Sequence, residues 1–201
     1  MVDADQVVHN ETFSGKDWAL AEVGRVHYED CAFHDVDWSE ARLTGCTFTH
    51  CRFGNVRFNA AELNNCAILQ SVVERSSFFD ATLTGCKLTG TQFLDCGLRP
   101  LTIDGGDWGF VSLRGQNLTG AKLAGLRLRE ADLTGADLSR ADLRDADLFG
   151  ARLADAKLKG TDLRGADLGG VQLKDIDITG TKIDVPQAVL FAAAYGAKVE
   201  G

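Results

Sequence analysis

The chain has 201 residues, 45% of them hydrophobic, and a formal net charge of −8. A substantial core is therefore available, but a basic footprint for nucleic acid or anionic lipid is not. No early basic stretch leads into an apolar run, and no segment approaches the length of a membrane span. A soluble, cytoplasmic protein is expected.

Residues 1–12 carry no regular pattern and are expected to form a flexible N-terminal arm. From Phe13 to Ile183 a hydrophobic residue recurs at every fifth position, thirty-five times without a slip. A helix would rotate such residues around its whole cylinder, and a strand would send successive members to opposite faces. A chain that turns a corner every five residues can point all of them inward. Four pentads make one square coil, so residues 13–183 predict a solenoid of nearly nine coils. At a coil spacing of about 4.8 Å it would be roughly 42 Å long.

With the central residue called i, the core begins mixed and aromatic, with Trp18, Tyr28, Phe33, Trp38 and Phe48. From Leu113 to Leu173 every centre is leucine. Position i−2 is small, and all six cysteines (Cys31, Cys46, Cys51, Cys66, Cys86, Cys96) fall there, in the slot that alanine fills later. They read as buried packing residues rather than disulfides or ligands. Glu11 and Lys16 break the rule in the first coil, and Leu98-Arg99-Pro100-Leu101 predicts a local kink without loss of register.

After Ile183 the pattern stops. Asp184 can cap a helix that begins near Pro186 and ends by Gly196, within a C-terminal segment 184–201. The helix is apolar on nearly every side, so it needs a second partner beyond its own last coil. A second copy across a two-fold axis is the economical one, touching through Val189, Leu190, Phe191, Ala193 and Tyr195. A cap folded wholly over the last coil is the alternative.

The run A-D-L-T-G, A-D-L-S-R, A-D-L-R-D, A-D-L-F-G at residues 131–150 resembles the pentapeptide-repeat family, over residues 13–183. The mid-chain Leu98–Thr102 segment and the tail Asp184–Ala194 are similar to the MfpA/Qnr group within it. That resemblance implies a right-handed quadrilateral β-helix, an all-β solenoid, joined as a homodimer through C-terminal helices. It also implies a DNA mimic that binds and inhibits DNA gyrase, a type IIA topoisomerase, through its A or B subunit. Protection of the enzyme from fluoroquinolones or related poisons would follow. The chain has none of the loops that interrupt the coils of some Qnr proteins.

The i−1 column is where such mimicry would reside. Asp132, Asp137, Asp142 and Asp147 follow one another on four successive faces, and Asp162 and Asp167 extend the set. With Asp107 they are the candidate phosphate substitutes, although aspartate at i−1 also reads as an ordinary turn residue. The face containing Tyr28, Trp108 and Leu168 is the most acidic. Phe110 and Phe149 stand at outward slots on it as possible aromatic contacts.

Nothing in the sequence points to catalysis, a cofactor or a metal. Cys46-x3-His50-Cys51 has near-metal spacing, but its cysteines point in and His50 points out. No phosphate-binding glycine loop is present. Direct contact with nucleic acid or membrane is not expected. The competing reading is a scaffold or interaction protein of the same fold whose partner is not gyrase.

Overall fold

A computed structural model describes residues 6–199. Every strand pairs in parallel with a segment 20 residues away along the chain, so four pentads complete one coil. The first face stacks Gln6–His9, Val26–Glu29, Thr47–Thr49 and Ala67–Leu69. The second stacks Thr12–Ser14, Ala32–His34, Arg52–Gly54, Val72–Glu74 and Gln92–Leu94. The third is held by single bridges linking Asp17, Asp37, Arg57, Ser77 and Gly97. The fourth stacks Glu22–Gly24, Arg42–Thr44, Glu62–Asn64, Ala81–Thr84 and Leu101–Asp104. Beyond Asp107 the same 20-residue step continues through single bridges as far as Asp162 with Lys182. This is the quadrilateral β-helix that the five-residue period requires.

The N-terminal expectation needs correction. Gln6–His9 is a paired strand of the first face, not part of an arm, so the stack begins before Phe13. Val7 and Val8 continue the β pattern with Val8 as a further central residue, one pentad before Phe13. Glu11, beside it, breaks the i−2 rule and so masks this pentad in the sequence. Residues 1–5 of the expected arm lie outside the described residues.

The 20-residue step places like above like. Phe13, Phe33 and Phe53 stack with centroids 5.1 and 5.0 Å apart, and Tyr28 lies over Phe48 at 5.0 Å. These separations match the strand spacing, so the coil pitch itself sets the ring contacts. From Leu113 onward the leucines are as fully buried as the aromatics before them. The indole N–H groups of Trp38 and Trp108 find no acceptor in this apolar stack.

Corners come in two kinds, and the sequence at i−2 tracks the difference. In the C-terminal half the corners are tight: the Leu133 carbonyl accepts from the Ala136 amide at 3.0 Å, with Gly135 at φ +67°. A positive φ at that place is what a type II turn demands. In the N-terminal half most corners are open and lack this bond, which leaves the i−2 amide in need of an acceptor. The side chain one coil later supplies it. Ser71 Oγ accepts from the Cys51 amide at 2.9 Å, and Ser76 Oγ from Val56 at 3.0 Å. Cys46, Cys51, Cys66, Cys86 and Cys96 serve the amides of Val26, Cys31, Cys46, Cys66 and Ser76 in the same way. The cysteines are therefore free, and beyond filling space they satisfy backbone donors that alanine could not. Burial pushes the Cys51 thiol up to about 12 and raises those of Cys86 and Cys96.

The mid-chain kink keeps register but interrupts the ladder. Bridges cross this level on the first and second faces, Lys87 to Asp107 and Gln92 to Ser112, and are missing between Gly97 and Asn117 and between Thr102 and Lys122. Gln116 spans the widened corner: Oε1 accepts from the Cys96 amide and Nε2 donates to the Phe93 carbonyl, each at 3.3 Å. Gly106 ends the kinked coil at φ +111°, where an added Cβ would collide with the Cys86 carbonyl.

The helix Val185–Ala194 seals the last coil. Asp184 accepts from the Gln187 amide at 2.9 Å, and Gln187 Oε1 accepts from the Asp184 amide at 3.1 Å, forming a capping box. Gln187 Nε2 then donates to the Leu163 and Ala166 carbonyls, and Phe191 packs beneath the helix.

Candidate partner-binding surface

All seven nominated aspartates occupy one local geometry. The i−1 carboxylate turns back over its own corner, and one oxygen accepts the amide of i+1. The bonds are Asp107 with Gly109 at 3.0 Å, Asp132 with Thr134 at 3.0 Å and Asp137 with Ser139 at 3.0 Å. Asp142 with Arg144, Asp147 with Phe149, Asp162 with Arg164 and Asp167 with Gly169 repeat it. The fold thus selects aspartate here for its short acceptor side chain.

Most of the second oxygens face a cation. Arg144 clasps Asp142 and Arg164 clasps Asp162, each at 2.7 Å from the same pentad. Arg127 lies 3.3 Å from Asp107 and Lys157 3.6 Å from Asp137, each 20 residues on. Arg129 lies 3.3 Å from Asp147, and Arg114 and Arg152 flank Asp132 at 3.9 Å. Arg164 beside it holds the Asp162 carboxyl down at about 2, and Arg144 lowers that of Asp142. The Ser139 contacts lower Asp137.

Among the described residues, Asp167 alone of the seven has no cation within 4.0 Å. Glu130, Asp145, Asp155, Asp175 and Asp177 share that condition, and none of them is among the seven candidates. The first four occupy i+2 corners, where spacing alone does not decide the pairing. Asp145 has Arg127 eighteen residues back and Asp155 has Lys157 two residues on, but those bases lie against Asp107 and Asp137 instead. The Asp145 carboxyl lies over Gly165, on the edge between the fourth and first faces.

The two aromatic candidates differ. Phe110 is 58% exposed at a corner, whereas Phe149 is partly covered, with the Arg129 guanidinium 4.4 Å from its centroid and Gly169 against its edge. On the helix, Val189, Leu190, Ala193 and Tyr195 are exposed, and Val185 lengthens their stripe. Phe191 does not belong with them. It lies four residues after Gln187, shares its face and is buried in its own chain.

One group of metal-ligand types gathers among the described residues: Glu29, Asp30 and His50. Glu29 pairs with His9 at 3.0 Å, and His50 Nε2 lies 2.7 Å from Gln70 Oε1. Cys46 and Cys51 are buried and do not join it. No helix is long and apolar enough to cross a membrane.

The geometry defines a parallel β-solenoid of five-residue turns closed by a C-terminal helix. A family model described as pentapeptide repeats matches residues 29–66, 112–148 and 146–183, and the chain belongs to the pentapeptide-repeat family. No curated protein matches it in a sequence search. Among solved structures, full-length QnrB1, a plasmid-mediated fluoroquinolone resistance protein, is similar over 95% of this chain and 100% of its own. Its TM-score is 0.56 at 21% identity. A trypsin-treated form of QnrB1 gives 0.55 at 20% identity, over 98% of this chain and 99% of its own. HetL of the cyanobacterium Nostoc, involved in heterocyst differentiation regulation, gives 0.50 at 22% identity, over 88% of each chain. At these identities the likeness is one of fold.

Proposed function

We propose that this protein is a non-catalytic rod that binds DNA gyrase in place of a DNA segment. It inhibits the enzyme and shields it from fluoroquinolones or related topoisomerase poisons. The observation that carries the reading is the 20-residue step, whose register holds along the whole solenoid even where the ladder is interrupted. It builds a straight-sided column without loops, ornamented with regularly spaced carboxylates, on the fold shared with QnrB1. A second copy joined at the exposed stripe of the C-terminal helix doubles the column.

The charge arithmetic refines the mimicry. Duplex DNA carries about one charge per 1.7 Å, far more than a chain of net charge −8 can display. Shape and a few carboxylates lacking counter-ions therefore matter more than a long-range field, and Asp167 is the first of these. The scaffold reading stands beside it, since HetL shares the fold and is described by a different role. Purified protein inhibiting gyrase supercoiling at micromolar concentration or below supports the gyrase reading. Absence of inhibition, with no retention on immobilised A or B subunit, supports the scaffold.

A further inference from the structure

From coil to coil the central amide donates to the carbonyl 19 residues on, as Phe93 does to Ser112 at 2.9 Å and Leu118 to Asp137 at 2.8 Å. Near the C-terminus it fails at Leu153 and Leu158, above the 3-10 turn Leu173–Asp175. On the third and fourth faces of the kinked coil this rule lapses. The amides of Leu98, Ile103 and Gly105 find no backbone acceptor on Asn117, Lys122 and Ala124, and those of Asn117 and Lys122 find none on Cys96 and Leu101. Leu101–Asp104 is therefore a terminal strand of its sheet, in the middle of the chain. The rod contains an unpaired strand edge facing an opening of about 540 Å³.

The lining of that opening is chemically specific. Leu98 to Thr102 form one lip, and Thr119 to Lys122 the other. Leu101, Ile103 and Ala121 are half-buried there, although Leu83 and Leu123 at matching slots are sealed. Arg99 reaches across to Asn117 Oδ1 at 3.2 Å and, like Lys122, meets no carboxylate within 4.0 Å among the described residues. Asp104 lies at the far end of the strand.

We propose that this opening receives an extended, acidic segment of a partner protein, which adds as a strand to the edge at Leu101–Asp104. Edge donors and acceptors at alternate residues suit an extended backbone. The half-buried apolar residues suit its inward side chains, and Arg99 and Lys122 suit carboxylates on its outward ones. The site stands independently of the gyrase reading, because it rests on the interrupted ladder and not on the acidic column.

Hydrogen exchange on the full chain tests it, with acetyl-Thr-Val-Asp-Val-Glu-Val-Thr-amide as the probe and its lysine-for-acid counterpart as the control. In the free protein the Ile103 and Gly105 amides exchange at least about tenfold faster than those of Leu113 and Leu118, since they lack partners. The acidic peptide slows them; the basic peptide does not; Lys122→Glu, an exposed change that leaves the circular dichroism unaltered, abolishes the slowing. Ile103 and Gly105 amides as protected as Leu118 in the free chain would overturn the proposal. So would equal protection by both peptides, or none by either.

Discussion

The Ser71 hydroxyl stands one coil beyond the Cys51 amide and accepts its hydrogen at 2.9 Å, while donating its own to the Leu69 carbonyl at 2.8 Å. Replacing it by alanine strands a buried donor, at a cost of about 1–3 kcal/mol. Ser71→Cys, which installs the group used at the neighbouring open corners, costs less. Ala136→Ser brings no matching gain, because the Gln116 amide it would serve is already bonded to Leu113 at 3.0 Å. Thermal unfolding of the three variants separates these outcomes, and a harmless Ser71→Ala would refute the corner rule.

The clasped carboxylates set the acid limit. Folded Asp162 and Asp37 titrate at about 2, below their unfolded value, so their contribution is complete above about pH 4 and is lost as the pH falls through about 2. Melting temperatures taken between about pH 7 and pH 2 should hold at first and then decline. A decline that begins near neutrality would contradict this assignment.

Gyrase inhibition should respond to Asp167 more than to Asp162, since Arg164 already occupies the latter. Asp167→Lys, alone or with Asp147→Lys, weakens inhibition of supercoiling by about tenfold or more while the circular dichroism stays intact. Asp162→Asn leaves inhibition within about twofold. Equal effects would remove the distinction between paired and unpaired carboxylates.

Phe110 can be tested without harming the fold. It holds φ at +58°, a region glycine enters at no steric cost, so Phe110→Gly removes the ring and relieves the backbone. The melting temperature should stay level or rise. If Phe110 touches gyrase, inhibition falls; if inhibition is unchanged, the ring is not a contact.

A charge on the outer stripe of the helix, Leu190→Asp, should give monomers by light scattering. Gln187→Ala should instead lower stability by about 1–3 kcal/mol, because two last-coil carbonyls lose their donor. A dimer that survives Leu190→Asp would place the contact elsewhere.

The period-five pattern made the coil, its inward residues and the position of the kink legible, because one steric requirement repeats at every turn. Phe191 was misplaced because an apolar helix offers no polar face from which to orient it, and only the Gln187 contacts decide which side turns inward. Asp142 and Asp162 looked like display charges because their partners lie two residues away, on the outer surface of the same pentad. The difference between cysteine and alanine corners was written in the chain, but a pattern of inward slots does not say which amides lack acceptors.

Each pentad is a quarter turn, so insertions and deletions act on this molecule in discrete angles. Losing five residues would swing everything downstream by 90° about the long axis, re-aiming the acidic edge relative to the terminal helix with the interior still matched. Losing twenty would only shorten the shaft. Which lengths a lineage tolerates would thus report whether angle or reach is under selection.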